Sequence, residues 1–234
     1  MTRSKIRYII FCLSFAFLTP AKAQKVSDEL KKVRNAYTSN KQLSFDVEVY
    51  SYETKADKTP ELISKGYMKK SNDKYYSNYE GMELMVNGDK ALIVDNEKKT
   101  MTFYEYKLSK QKTPKGFEAN IDSVLLQSDS VVIQPTKSGI KHFTCFSNTG
   151  DIQQTEIYVD EKTNLINHIL YYYFPSNDDY EMQTDRVEIF YKNIKTQGID
   201  EAFFSFDKYF KTVKAKLIPT VKYQGYKVNH YNSK

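Results

Sequence analysis

Apolar and polar residues alternate from residue 43 onward, and this period of two dominates the chain. In residues 43–49 every second side chain is apolar, which is typical of a half-buried antiparallel strand. Asn87-Gly88 lies between two such runs and is a strong hairpin signal. Further runs with strand spacing, separated by short turns, occur at 62–70, 74–79, 83–86, 91–94, 100–106, 131–134, 142–146, 155–159, 165–174 and 187–191.

Two segments have helical spacing instead. Ser27 is predicted as the N-cap of a first helix, whose apolar stripe runs over residues 26–37, and a second helix is predicted near residues 117–127. The sequence therefore predicts a mainly β fold with α. We expect a single large antiparallel sheet of about nine or ten strands, curved into a half-open barrel, with the helices covering its concave face. A flat sandwich is the alternative.

The first 23 residues indicate a secretory signal peptide. Residues 8–18 form an apolar run of 11 residues after a basic start, which is too short to span a bilayer. Ala21 and Ala23 are the small residues that a signal peptidase accepts. Cleavage after Ala23 would release the mature protein into the periplasm; an N-terminal membrane anchor is the alternative.

One domain accounts for the rest of the chain, because no linker or internal repeat interrupts it. Residues 24–207 are predicted to form this domain, and residues 208–234 a C-terminal extension of it. The extension is predicted to be either an extra strand or a docking tail.

The formal charge of +6 belongs mostly to the leader. Four of the 35 lysines and arginines lie in it and none of the 29 acidic residues does, so the mature chain has a net charge of +2. A strongly basic protein that binds nucleic acid is therefore excluded. One cysteine, Cys145, remains after cleavage; it lies in an alternating strand and is predicted to be a packed, unpaired thiol.

Catalytic chemistry has little support in the sequence. His142, His168 and His230 have no metal-ligand spacing, and no phosphate loop, Cys-x-x-Cys or nucleophile elbow occurs. Glu156 and Glu188 alternate with isoleucines, as solvent-facing strand residues do. The sequence therefore favours a protein that is not an enzyme and that needs no metal or cofactor. A small exported hydrolase is an alternative.

Tyrosine is abundant, with 20 residues, whereas tryptophan is absent. The tyrosines cluster on predicted strands, for example at 75–76 and 171–173. One interpretation is an ordinary core with tyrosines at its rim; the other is a concave apolar groove that holds a lipid. Composition does not separate the two, because core and groove use the same residue types.

The order of several short patterns resembles the LolA-like family of periplasmic outer-membrane lipoprotein carriers. The patterns are the first strand after the helix at 43–49, Gly-Tyr-Met-Lys-Lys at 66–70, the aromatic strand at 74–76, the hairpin at 86–95 and Phe-Ser-Phe-Asp at 204–207. The match covers about residues 26–207. Lys70 and Ser71 stand where the family has arginine and proline, and Ile93 replaces the tryptophan of its hairpin.

The resemblance implies a noncatalytic carrier or chaperone that shields the acyl chains of lipoproteins or lipids between membranes. It also implies a monomer with transient membrane contact, an inner-membrane donor complex, an outer-membrane acceptor and no nucleic-acid partner. A regulatory protein that senses lipid or lipoprotein is the alternative. Lys70 is the candidate gate or rim residue. The residues predicted to line the apolar cavity are Phe45, Val47, Val49, Met68, Leu84, Val86, Leu92, Val94, Ile157, Val159, Ile169, Tyr171 and Tyr173.

Overall fold

A computed structural model describes residues 19–105, 128–175, 184–214 and 216–232. Its main feature is one open sheet of 12 strands, accompanied by a two-stranded hairpin. The described residues also contain a single α-helix. The predicted fold class, mainly β with one large curved sheet and helical cover, is confirmed.

The helix, α1, spans Thr19–Ser39. The strands are β1 Gln42–Tyr52, β2 Leu62–Ser71, β3 Lys74–Tyr79, β4 Met82–Asn87, β5 Lys90–Asp95, β6 Thr100–Glu105, β7 Ser130–Lys137, β8 Ile140–Phe146, β9 Ile152–Asp160, β10 Ile166–Tyr173, β11 Arg186–Lys195, β12 Phe210–Val213, β13 Lys216–Pro219 and β14 Lys227–Asn232. Short 3-10 helices occupy Glu201–Phe204, Phe206–Lys208 and Val221–Tyr223.

Along the large sheet the strands follow the order β14-β6-β5-β4-β3-β2-β1-β11-β10-β9-β8-β7. Neighbouring strands are antiparallel except for β14, which runs parallel to β6. The sheet is therefore mixed, and it has more strands than the nine or ten expected, partly because the C-terminal segment contributes β14. The first strand, β1, lies in the middle of the sheet, between β2 and β11.

Helix α1 begins earlier than the sequence predicts. Ser27 lies inside the helix and is not its N-cap. The preceding residues 21–25 are good helix formers, and Pro20 is tolerated in a first turn, so the helix continues toward the N-terminus. Its last turn is capped by Asn40, whose Nδ2 donates to the carbonyl of Ala36 at 2.7 Å. The second predicted helix, 117–127, lies outside the described residues.

Helix α1 lies across one face of the sheet, which we call the helix face. Glu29 Oε2 forms an ion pair with Lys141 Nζ of β8 at 2.8 Å. Near the other end of the helix, Lys70 Nζ of β2 donates to the carbonyl of Tyr37 at 3.1 Å. Because four strands lie between β2 and β8, the helix spans a large part of the sheet.

The C-terminal segment, residues 199–232, covers the opposite face along β2–β6; we call this the tail face. Phe204, Tyr209 and Tyr223 are almost fully buried there and pack in one cluster with Met85 and Leu92. The same segment forms the β12–β13 hairpin and then adds β14 to the edge of the large sheet. It is therefore a packed layer of the fold that ends in an extra strand.

Candidate functional site

The strand register places apolar side chains next to one another across the helix face. Val49 of β1 is paired with Ile189 of β11, which is paired with Ile169 of β10. Ile169 is paired with Ile157 of β9, and Ile157 with Phe143 of β8. Because directly paired residues of antiparallel strands project to the same side, these residues form a continuous apolar band on the helix face.

All but two of the predicted cavity residues lie on the helix face. These are Phe45, Val47, Val49, Met68, Leu84, Val86, Ile157, Val159, Ile169, Tyr171 and Tyr173. Their role in ligand binding stays a prediction.

The other two predicted cavity residues, Leu92 and Val94, lie on the tail face. Leu92 is paired with Met85 and Val94 with Glu83, so both project away from Leu84. Leu92 and Val94 therefore do not share a face with Leu84 and Val86, as lining residues of one cavity would.

Packing on the helix face is tight beneath α1 and looser toward one end of the strands. Leu43, Phe143 and Ile166 have no exposed surface. Val49 and Tyr171, nearer the end where β1 finishes, are only partly buried by the described residues. These side chains keep accessible surface on the helix face. They form the part of the apolar band that a ligand could cover.

Exposed apolar side chains rim the same end of the sheet. Leu62 is 49% exposed, Met82 43% and Tyr79 37%. The ring of Tyr79 lies across Gly66 on the neighbouring strand, where an added Cβ would come within 2.8 Å of the ring. Glycine at this position therefore allows β3, with its rim tyrosine, to approach β2 closely.

Lys70, the candidate gate, contacts the C-terminal turn of α1. Its Nζ donates to the carbonyl of Tyr37, one of the last carbonyls of the helix. A cation at this end of a helix stabilises carbonyls that lack partners in the helix. The contact ties α1 to β2, so Lys70 is placed to hold the helix on the sheet; its role as a gate stays a prediction.

Cys145 is a buried free thiol, as predicted. The residue is 2% exposed, and burial raises the pKa of its thiol to about 11. Because the thiolate is the reactive form, this environment makes Cys145 a packing residue on the helix face.

We expect Cys145 in the folded mature protein to resist a bulky maleimide at neutral pH, because the thiol is both inaccessible and protonated. Mass spectrometry after timed labelling measures this, with the same protein in urea as the control that reacts fully. Rapid labelling without denaturant, or a disulfide-linked dimer on a non-reducing gel, would contradict the expectation.

The histidines and carboxylates considered as catalytic groups are engaged with neighbouring side chains. On the side opposite α1, the ring of His168 stacks on Phe190 at 4.1 Å between centroids, and burial lowers the pKa of His168 to about 4. Glu156 lies on β9 and accepts a hydrogen bond from the Tyr158 hydroxyl at 2.6 Å. Glu188 lies on β11, separated from it by β10. Within the described part of the chain, no three His, Cys, Asp or Glu residues are grouped as a metal site would require.

The tail face contains a buried carboxylate that the sequence analysis missed. Glu83 is 7% exposed, and its Oε2 accepts hydrogen bonds from the hydroxyls of Tyr76 at 2.8 Å and Tyr209 at 2.9 Å. Burial, with a contribution from the nearby carboxylate, raises the pKa of both hydroxyls, so both remain donors. The sequence signal for Glu83 is that it stands two residues before Met85 on the same strand and therefore shares its face. This signal is informative only once that face is known to be covered by the tail segment.

No family model matches this sequence, and no curated protein matches it. Similar solved structures include an uncharacterized conserved protein from Thermus thermophilus, with 8% identity and a TM-score of 0.48 over 88% of this chain and 99% of that one. A LolA superfamily protein from Nitrosomonas europaea has 11% identity and a TM-score of 0.33, covering 77% and 97%. The lipoprotein LppX of Mycobacterium tuberculosis has 9% identity and a TM-score of 0.38, covering 74% and 96%. These likenesses concern the fold alone.

Among the described residues, no helix combines the length and the apolar character needed to cross a membrane.

Proposed function

We propose that this protein is a noncatalytic periplasmic carrier that shields the acyl chain of a lipoprotein or lipid. The observation that carries the proposal is the apolar band on the helix face, which is sealed beneath α1 and only partly buried toward the rim at Leu62, Tyr79 and Met82. The fold-level likeness to LolA superfamily structures is compatible with it.

The physical need for such a carrier follows from hydrocarbon solubility. Each buried methylene is worth about 0.8 kcal/mol, so an acyl chain of roughly fifteen carbons loses on the order of 12 kcal/mol when it is exposed to water. A band that runs from Val49 across β11, β10 and β9 offers apolar contact along several strands. Transfer then requires only a competing site of higher affinity, and no covalent step.

The packing of the C-terminal segment favours a carrier over a sensor that docks through a free tail. Tyr209, Phe210 and Tyr223 are buried against their own sheet, and β14 is paired with β6. A protein partner that recruits this segment would have to displace an existing core. Transfer partners therefore have to engage other surfaces, such as the apolar rim.

Export is part of the proposal. Cleavage of the predicted leader after Ala23 leaves Gln24, a residue of α1, as the first residue of the mature chain. The intact mass of the protein recovered from the periplasm tests this, and a mass that includes Met1 would contradict it.

The carrier proposal is tested by lipid binding to the mature chain. We expect a fluorescent fatty-acyl probe to bind and to raise the melting temperature, with a shift that grows with the logarithm of its concentration above its dissociation constant. Val49→Glu should weaken binding at least tenfold, because the charge would lie against the acyl chain. The loss in unfolding free energy should stay at about 1–2 kcal/mol, since Val49 is only partly buried.

Val132→Glu is the matched control. Val132 is also a strand valine, but it is 44% exposed and lies on β7, paired with Thr144 on the side opposite the band. This variant should bind the probe like the wild-type protein. The proposal fails if no acyl ligand shifts the melting curve, or if both variants bind equally well.

A further inference from the structure

Charge is divided unequally along the mature chain. Residues 208–234 contain seven lysines and no acidic residue, whereas residues 24–207 contain 24 lysines and arginines against 29 acidic residues. With histidine neutral, the C-terminal extension has a formal charge of +7 and the remainder of the mature chain −5. Because the extension covers the tail face, positive charge is concentrated on one side of the fold.

The β12–β13 hairpin of this extension has one packed side. Phe210 of β12 is buried in the tail-face cluster, and Leu217 of β13 packs against the same cluster. The register pairs Phe210 with Pro219 and Thr212 with Leu217, so these four side chains project to one side. The alternate residues of both strands therefore project away from the sheet.

The outer side of the hairpin combines lysines with exposed apolar side chains. Lys211 is paired with Ile218, and Val213 with Lys216, so charged and apolar side chains alternate across the two strands. Val213 is 48% exposed and Ile218 49%, and both lysines are exposed as well. This side of the hairpin therefore presents positive charge around an apolar surface.

The acidic side chains near the hairpin lie on its inner side. Glu105 and Glu201 line a cavity against that side, and they are paired with Lys90 and Lys74. Asp207 lines the same cavity. Within the described ranges, the lysines on the outer side of the hairpin form no ion pair. Their charge is therefore free to attract an anionic partner from outside the chain.

The apolar surface continues into the 3-10 helix that follows the hairpin. Val221 is 90% exposed, and its neighbour Lys222 is exposed too. Single exposed apolar residues are common on protein surfaces. Here Val213, Ile218 and Val221 occur close together in sequence, and each has a lysine beside it or opposite it. Basic and apolar side chains on one surface are typical of elements that lie in a membrane interface.

We propose that the outer side of the β12–β13 hairpin, together with Val221 and Lys222, docks this protein on the surface of an anionic lipid bilayer. The lysines attract anionic headgroups, while the three apolar side chains enter the boundary between headgroups and acyl chains. Lysine stems are long enough to keep their ammonium groups at the headgroups while apolar neighbours lie deeper. This surface is separate from the groove on the helix face, so the inference does not rest on the proposed carrier function.

A bilayer uses both components of the surface. An acidic protein or a soluble polyanion would use the lysines, but it would offer no hydrocarbon to Val213, Ile218 and Val221. The charge division also orients the approach, because an anionic surface attracts the +7 extension and repels the −5 remainder. Docking leaves Phe210 and Tyr223 in their cluster, so no part of the core is displaced.

Sedimentation with lipid vesicles tests the docking surface. The mature protein is mixed with vesicles of phosphatidylcholine, or of an equimolar mixture with phosphatidylglycerol. We expect at least about tenfold tighter binding to the anionic vesicles, and loss of most of this preference at high salt. Lys211→Gln combined with Lys216→Gln should weaken binding about tenfold or more. Val213→Ser combined with Ile218→Ser should weaken it by about fivefold.

Matched controls remove the same groups elsewhere. Lys137→Gln combined with Lys162→Gln takes two exposed lysines from β7 and from the turn after β9, away from the tail face. Val132→Ser replaces a strand valine of similar exposure, 44%, on β7. Both control variants should bind anionic vesicles like the wild-type protein. Melting curves of every variant exclude loss of the fold as the cause of a change.

The outcomes are separate from those of the carrier proposal, because acyl-probe binding without vesicles tests the groove alone. Docking through the hairpin is overturned if the wild-type protein shows no preference for anionic vesicles. It is also overturned if the control variants lose as much binding as the hairpin variants. Binding that needs Lys211 and Lys216 but not Val213 and Ile218 would overturn it in favour of an acidic protein or a soluble polyanion.

Discussion

Replacing Phe204 by alanine is expected to lower the free energy of unfolding by about 4 kcal/mol. Phe204 has no exposed surface and lies in the cluster that joins the tail segment to the sheet, where Phe203 meets it edge-on at 5.5 Å. The substitution loses the transfer free energy of the ring and leaves a cavity. Domains of this size have total stabilities of about 5–15 kcal/mol, so the loss is a large fraction. Urea denaturation followed by circular dichroism measures it.

Phe146→Ala is the control for this prediction. Phe146 is 40% exposed at the end of β8, so its removal should change the unfolding free energy by only about 0.5 kcal/mol. If Phe204→Ala also costs less than about 1 kcal/mol, the tail segment is not the integral layer that its burial indicates.

The second large effect on stability is expected from Glu83→Ala, which should lower the free energy of unfolding by about 3 kcal/mol. The substitution removes the acceptor of two buried phenols, Tyr76 and Tyr209, so that neither hydroxyl can donate to a carboxylate on the tail face. Tyr209→Phe removes one hydroxyl and should cost about 1 kcal/mol. In a double-mutant cycle the two substitutions should cost at least about 0.5 kcal/mol less together than the sum of the single changes, since the hydroxyl has no role once the carboxylate is gone.

Glu97→Ala is the matched control, because Glu97 lies in the turn after β5 and is exposed. It should change stability by no more than about 0.5 kcal/mol. Additive effects of Glu83→Ala and Tyr209→Phe would show that the two side chains are not coupled, and would contradict the hydrogen-bond arrangement on the tail face.

The strands could be predicted from the sequence because most of them bury one face only. In β1 the alternation of Leu43, Phe45 and Val47 with polar residues gives both the strand and the side that faces α1. The turn at Asn87-Gly88 joins β4 to β5 as its residue types predict. The residue types of a short segment are sufficient to predict its structure when they concern a single buried face or a single turn.

The prediction failed where both faces of a strand are buried. In β4 and β5 the run of apolar residues is nearly continuous, because Leu84 faces α1 while Met85 and Leu92 face the tail segment. In a continuous apolar run, alternation does not distinguish one face of the strand from the other. The sequence alone therefore could not show that Leu92 and Val94 lie on the tail face. The start of α1 was missed for a related reason: residues 21–25 carry helix-forming side chains without an apolar stripe to mark them.

The central position of β1 has a consequence for how the chain reaches its folded state. Lys192 of β11 and Glu48 of β1 form an ion pair although they are 144 residues apart in sequence. As synthesis proceeds from the N-terminus, β1 and the meander β2–β6 are complete long before β11 exists. One edge of β1 then stays open, and open edges template aggregation. Pairings between distant residues also slow folding. The nascent chain therefore needs protection until its last third has been made, because β11 joins the β14–β1 part of the sheet to the β10–β7 part.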